Sequence, residues 1–266
     1  MRLALYQGPS PGGDLATAFE AVESTLTAAA AMDADIAVFP EIFLPGYNVE
    51  ALEAQPLDGE WVERLGKLAR QSGVALAIGM AEKTNGVVYN SAIVIGPDGA
   101  LLANFRKIQL FGKREKALYT PGDEYVVFPF RNHRIGLLIC YDIEFPEHVR
   151  ALAREGADLV LAPTANMAPF ENINRIATLA RAMENGLSLA YCNYCGTEGE
   201  LTYVGGSVIA GPDGDPIARA GSETALLIAD VPEPASAEHQ PLANYLEDLR
   251  SIDKLGDGRA TLPSKD

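Results

Sequence analysis

The chain has little of what a disulfide-stapled, zinc-bound or membrane-spanning protein needs. Its 266 residues include three cysteines, three histidines and one tryptophan. Cys140, Cys192 and Cys195 are too few, and odd in number, for a disulfide framework. Cys192 and Cys195 form one CxxC, but no second CxxC exists, and His133, His148 and His239 lack the spacing of zinc ligands. The pair lies in the apolar run Leu187 to Cys195, so both are expected to be buried structural thiols. No zinc site is expected from these residues. No apolar run approaches the roughly 20 residues that cross a bilayer. Met1 to Gln7 is short, ends polar, and reads as a first strand rather than a signal peptide. A soluble cytoplasmic protein with no membrane partner is the expectation. Positive charge is also scarce, with 21 Lys and Arg against 36 Asp and Glu and a net charge of -15. That balance repels phosphate backbones and anionic lipid, so no nucleic acid is expected as a partner.

What is present is ordinary for a globular protein: 48% hydrophobic and 21% charged residues, with a mean hydropathy of +0.03. No linker or low-complexity tract interrupts the chain before its end. Residues 1–250 are read as one domain, and the polar, aperiodic 251–266 as a tail that frays or contacts a neighbouring subunit. Strand and helix patterns alternate. Asp14 is placed to cap a helix running to about Met32, a second helix covers Gly59 to Gln71, and Val74 to Gly79 reads as a strand. Pro146 opens a helix ending near Gly156, Ala157 to Pro163 is a strand, and Asn174 to Glu184 a helix stopped by Gly186. Leu242 to Leu249 reads as one more short helix. The alternation implies a layered α/β fold.

One pattern occurs twice. Ile93-Val94-Ile95-Gly96-Pro97-Asp98-Gly99 and Val208-Ile209-Ala210-Gly211-Pro212-Asp213-Gly214 each run an apolar strand into a Gly-Pro-Asp-Gly turn. Proline fixes φ in the turn and the closing glycine accepts the left-handed exit, so each reads as a hairpin. Two such hairpins point to two related halves.

Three reactive side chains sit at the ends of short apolar runs. Glu41 follows Ile36 to Pro40, Lys107 follows Ala100 to Arg106, and Cys140 follows Ile135 to Ile139. Ligands of open α/β sheets bind beyond the carboxyl ends of strands. A cysteine nucleophile needs a base or a positive neighbour. His133 lies at the far end of the same strand, roughly 20 Å away by strand rise, and His148 on the following helix. Glu41 as base and Lys107 as the charge that steadies a developing oxyanion are the better-placed pair.

Three segments carry a family resemblance: Pro40-Glu41, Arg106-Lys107-Ile108-Gln109-Leu110-Phe111, and Gly136 through Cys140-Tyr141-Asp142-Ile143-Glu144-Phe145-Pro146-Glu147. They resemble the signature blocks of the nitrilase, or carbon–nitrogen hydrolase, superfamily. Tyr89-Asn90-Ser91, Pro121-Gly122-Asp123 and Gly205-Gly206-Ser207 fall in the expected order, and the likeness runs to about residue 230. The resemblance implies a four-layer α-β-β-α sandwich of two related halves, assembly into homodimers or larger homo-oligomers, and no metal or organic cofactor. It implies a second glutamate, six residues before a Pro-Gly, which here is Glu115. It also implies an oxyanion held by Lys107 and the backbone N–H of Tyr141.

Cys-Tyr-Asp resembles the amidase branches rather than true nitrilases, which carry Cys-Trp-Glu. Branches acting on carboxylate-bearing substrates commonly place Arg four residues after the cysteine, where this chain has Glu144. A small neutral or amine-bearing primary carboxamide is therefore the expected substrate, with N-carbamoyl amines or nitriles as alternatives. An idle oligomeric binding domain is the non-enzyme alternative. Glu144 could equally form an ion pair with Arg150 or Arg175. The family's usual histidine in the lysine block is Gln109 here. Tyr47 and Asn166 are further candidates for lining the site.

Overall fold

The computed structural model describes residues 1–234 and 243–250, so the expected tail, 251–266, and the start of the helix expected at Leu242 lie outside the described residues. The first half runs β1 (Arg2–Gln7), α1 (Leu15–Ala31), β2 (Ile36–Val38), α2 (Glu60–Ser72), β3 (Ala75–Thr84), β4 (Val87–Ile95) and β5 (Leu101–Arg106). A short helix α3 (Gly112–Leu118) then leads to β6 (Val127–Phe130) and β7 (His133–Leu137). A 3-10 turn over Cys140–Glu144 precedes α4 (Pro146–Arg154) and β8 (Leu159–Pro163). After a π-turn at Ile173–Ala177 come α5 (Thr178–Asn185), β9 (Ser188–Cys192), β10 (Cys195–Glu198), β11 (Leu201–Val204), β12 (Val208–Ala210), β13 (Pro216–Arg219) and β14 (Ala225–Asp230). A last turn of helix, α6, spans Tyr245–Asp248.

Two six-stranded sheets result, ordered β14-β1-β2-β3-β4-β5 and β13-β12-β9-β8-β7-β6. Each has three parallel strands at its centre (β1-β2-β3 and β7-β8-β9), flanked by antiparallel neighbours. The repeated turn closes the corresponding hairpin in each. Gly99 N–H donates to Gly96 O and Gly96 N–H to Ala100 O; Gly214 N–H donates to Gly211 O and Gly211 N–H to Asp215 O. Both closing glycines are left-handed, at φ 77° and 87°, and both hairpins shift register just before the turn. The two related halves expected from the pattern are present.

Side-chain alternation sets the layers. Leu3, Leu5, Ile36, Val38, Ala75 and Ala77 point into one core shared with Ile135, Leu137, Leu159 and Leu161 of the second sheet. Ala4, Ala37, Leu76 and Ile78 point the other way, against Phe19, Val22 and Leu26 of α1 and Trp61 and Leu65 of α2. Val149 and Leu152 of α4 and Ala182 of α5 close the far side. The expected four-layer sandwich is the arrangement found. Asp14 caps α1 through the N–H groups of Ala16 and Thr17, and left-handed Gly73 and Gly186 end α2 and α5.

Some boundaries differ from the sequence reading. β3 continues five residues past Gly79 because its outer part pairs with β4 through Thr84. The helix expected from Asn174 begins as the π-turn, with regular α-helix only from Thr178. β2 and β7 stop at Val38 and Leu137, so Glu41 and Cys140 each stand three residues beyond a strand, in turns.

Candidate active site

Those two turns are built tightly. Gly79 N–H donates to Pro40 O and Leu44 N–H to Gly79 O, pinning the Glu41 turn onto β3. A Cβ on Gly79 would lie 2.3 Å from Ile42 N and 2.6 Å from Glu41 Cα, so only glycine fits there. Ile42 and Cys140 both have positive φ, 43° and 45°. Such backbone is costly for residues with a Cβ and tends to mark functional turns. Asp142 holds the cysteine turn: its carboxylate accepts from the N–H groups of Ile139 (3.0 Å) and Gln109 (2.7 Å), tying that turn to the segment after Lys107. Burial pushes the Asp142 carboxyl up to about 7.

Between the turns runs a buried chain of charge. Lys107 Nζ donates to Glu41 Oε1 at 2.6 Å and to Glu115 Oε1 at 2.8 Å, with all three side chains shut from solvent. Two of the three ammonium protons are thereby used, leaving one free. Burial alone would lower the Lys107 pKa, but Glu41 and Glu115 outweigh it and keep the group firmly protonated. Glu115 is fixed from two more directions, by Tyr47 OH (2.6 Å) and Phe111 N–H (2.8 Å). Glu41 Oε1 also accepts from Asn90 Nδ2 at 2.7 Å, whereas Glu41 Oε2 is buried with no partner among the described residues. Burial raises the Glu41 carboxyl above its ordinary value against the pull of Lys107. The Cys140 thiol is raised by burial and by Glu41, and lowered by Lys107 and the N–H of Ala165. That thiol is protonated at neutral pH, so it can act as a nucleophile only when a base removes its proton.

The remaining candidates fall as follows. Tyr47 is buried behind Glu115 rather than placed at a mouth. Tyr141 packs edge-on against Phe111 and Phe145. Glu144 is half-buried and its carboxyl is raised by burial and lowered by Lys107. Among the described residues its carboxylate has no ion pair with Arg150 or Arg175; instead Arg181 donates to its backbone O. Asn166 spends both amide protons on Phe170 O and Asn174 Oδ1, inside a buried network with Asn193. His133 pairs with Asp158, and His148 with Gln109 and Tyr125, none of these being a thiol contact. Cys192 is buried and donates to Tyr6 O and Val38 O, while Cys195 begins a different strand, so the CxxC is divided between elements. No group of three or more His, Cys, Asp or Glu able to hold a metal occurs among the described residues. No helix among them is long and apolar enough to cross a membrane. Asn90, Asp142 and Tyr119 were not singled out in the sequence. Asn90 and Asp142 did carry a signal, since Tyr89-Asn90-Ser91 is one of the ordered motifs and Cys140-Tyr141-Asp142 is part of the cysteine block.

The carbon–nitrogen hydrolase family model matches residues 2–238. The chain belongs to that family. It is 36% identical over 256 residues to an (R)-stereoselective amidase from Pseudomonas sp, covering 94% of this chain and 92% of the relative. It is 36% identical over 217 residues to an omega-amidase from Xenopus tropicalis, covering 76% and 78%. Among solved structures, a mutant of the amidase from Nesterenkonia sp. AN1, carrying the product of Michael addition of acrylamide at its active site cysteine, superposes with a TM-score of 0.84. That pair is 34% identical, over 94% of this chain and 96% of the other. The protein is a carbon–nitrogen hydrolase of the amidase type, acting on non-peptide C–N bonds.

Proposed function

We propose that this enzyme hydrolyses a small primary carboxamide, neutral or amine-bearing, to its carboxylic acid and ammonia through a thioester on Cys140. The observation that carries the reading is Glu41: one carboxylate oxygen is saturated by Lys107 and Asn90, and the other is buried and free. An unpaired buried oxygen is expensive, and a thiol proton or a water would satisfy it.

Glu41 Oε2 takes the Sγ proton as Sγ attacks the carbonyl carbon. The carbonyl oxygen becomes an oxyanion, held by the free proton of Lys107 and the N–H of Tyr141, a donor typically worth about 3 kcal/mol. As the tetrahedral species collapses the C–N bond breaks, and Glu41 returns the proton to nitrogen, releasing ammonia. Water then attacks the thioester while Glu41 accepts its proton; the C–S bond breaks and the thiol is restored. Glu115, braced by Tyr47 and Phe111, positions Lys107.

Glu144 supports the choice of substrate, because a half-buried carboxylate in the turn that begins at Cys140, with no ion pair among the described residues, would disfavour a second carboxylate nearby. The rival substrate is the monoamide of a dicarboxylic acid, favoured by the omega-amidase relative. Residues 1–250 as a single hydrolase domain, and assembly into a homo-oligomer, belong to the same proposal; light scattering tests the latter. The decisive assay is ammonia release from primary amides, glutaramate, N-carbamoyl amines and nitriles. Turnover of neutral or amine-bearing amides, absent in Cys140→Ala, is expected. A preference for glutaramate would reject the substrate class, and undiminished turnover in Cys140→Ala would reject the mechanism.

A further inference from the structure

A cavity of about 460 Å³ opens between the two segments that carry the lysine and the cysteine. Ile108 and Leu110, directly after Lys107, form one wall; Tyr141 and Phe145, from the turn that begins at Cys140, form another; Tyr119 and Pro121 complete it. The residues next in sequence to both reactive groups thus face a common space. Glu41, Lys107 and Cys140 do not themselves line it; the immediate neighbours of the last two, Ile108 and Tyr141, do. The volume is far more than a methyl group needs, and the cavity is open to solvent on one side.

The lining chemistry narrows the occupant. Three aromatic rings, two branched aliphatic side chains and a proline make the walls apolar. Among the described residues no acidic side chain lines them, and Glu144 is absent from the lining although it belongs to the same turn. Gln109 is present, and the one charged side chain, Lys116, is exposed. Tyr119 adds a polar handle: the residue is 6% exposed and its hydroxyl is buried with no hydrogen-bond partner among the described residues. A buried hydroxyl left unmade is costly, and a substrate oxygen would relieve it.

We infer that this cavity is the acyl-binding pocket, and that the preferred substrates are uncharged primary amides with an aromatic or branched apolar acyl group carrying a hydrogen-bond acceptor for Tyr119. The inference rests on the amidase reading above and narrows it from "neutral or amine-bearing" to neutral and bulky.

Binding and turnover are to be measured separately, so that the two claims can fail separately. Calorimetry on the Cys140→Ala protein reads affinity without chemistry, using acetamide, phenylacetamide, 4-methoxyphenylacetamide, phenylalaninamide and glutaramate. Phenylacetamide is expected to bind at least about tenfold more tightly than acetamide, with a further gain from the methoxy oxygen. Adding Tyr119→Phe should erase the methoxy gain and leave the phenyl gain. Adding Leu110→Trp, which fills the space, should close the gap between phenylacetamide and acetamide; Phe145→Ala, on the half-exposed side of the pocket, should narrow it and serves if the tryptophan variant does not fold. Equal affinity for acetamide and phenylacetamide would overturn the inference. So would tightest binding of phenylalaninamide weakened by Glu144→Gln, or of glutaramate weakened by Lys116→Gln. If the enzyme with Cys140 intact hydrolyses acetamide and phenylacetamide with equal kcat/KM, the amidase reading stands and the pocket assignment falls. If the affinity pattern holds but ammonia release persists in Cys140→Ala, the pocket stands and the thioester mechanism falls.

Discussion

Glu41 and Glu82 are both carboxylates with no exposed surface, and each is paired with one of two consecutive cations, Lys107 and Arg106. Their surroundings differ in one respect. Glu82 accepts from Ser91 Oγ (2.7 Å), Asn104 Nδ2 (3.1 Å), Arg106 Nε (3.0 Å) and Arg106 Nη2, so both its oxygens are used. Glu41 receives two donors on one oxygen and, among the described residues, none on the other. Burial alone would raise both; the donors around Glu82 outweigh it and hold that carboxyl below 4.5, while Glu41 stays above it. A satisfied buried ion pair is an anchor, and an unsatisfied one keeps capacity for a proton. Perturbed carboxylates of the second kind cluster at functional sites.

Substitution tests that contrast. Glu41→Gln keeps the size and one acceptor but cannot take a proton, so kcat should fall by about 10²–10⁴-fold with the fold intact, read by steady-state kinetics and circular dichroism. A loss under tenfold would mean that Glu41 is an anchor like Glu82. Gly79→Ala should come next: its Cβ would meet Ile42 N, displacing the Glu41 turn, with destabilisation of about 1–3 kcal/mol by thermal unfolding and a fall in kcat. Wild-type stability and rate in this variant would show that the turn can move freely.

Asn90→Ala removes a donor to Glu41 Oε1 and should cost about ten- to a hundredfold in kcat/KM. It also shifts a pH profile. The base must be ionised, so activity falls as pH drops through the raised Glu41 value; Asn90 lowers that value, so its removal should move the acid limb to higher pH. An unmoved limb would take Glu41 out of the rate profile. The smallest effect on activity is expected from Glu82→Gln, within a few-fold, with a stability loss of about 1–3 kcal/mol at neutral pH. Glu82 is depressed in the folded state, so its contribution is present above 4.5 and lost as pH falls through the depressed value. The Tm difference between wild type and Glu82→Gln should therefore shrink on acidification below 4.5; a constant difference would contradict the ledger of donors at Glu82.

What the sequence made legible was local. Asp14 as a cap, the two Gly-Pro-Asp-Gly hairpins and the reactive residues at strand ends each depend on a few neighbouring residues. The layering followed because alternation in β1 to β3 sorts Leu3 from Ala4 and Ile36 from Ala37. The bonds that make the site were not legible. Asn90, on β4, reaches Glu41 across 49 residues, and Tyr47, in the loop after the Glu41 turn, reaches Glu115 on α3 across 68, through tertiary packing that periodicity does not encode. The ends of β2 and β7 were misjudged for a different reason: the apolar runs continue into Phe39-Pro40 and Leu138-Ile139, which are buried but lie beyond the strands.

The thioester on Cys140 is the claim on which the rest depends, and partition to hydroxylamine tests it most directly. A primary amide and the methyl ester of the same acid are each supplied with the enzyme and hydroxylamine, and the ratio of hydroxamate to acid is measured. The same ratio from both substrates, with no product above background from Cys140→Ala, is the predicted result, because both pass through one acyl-enzyme. Ratios that differ between amide and ester, or hydroxamate formed undiminished by Cys140→Ala, would contradict it.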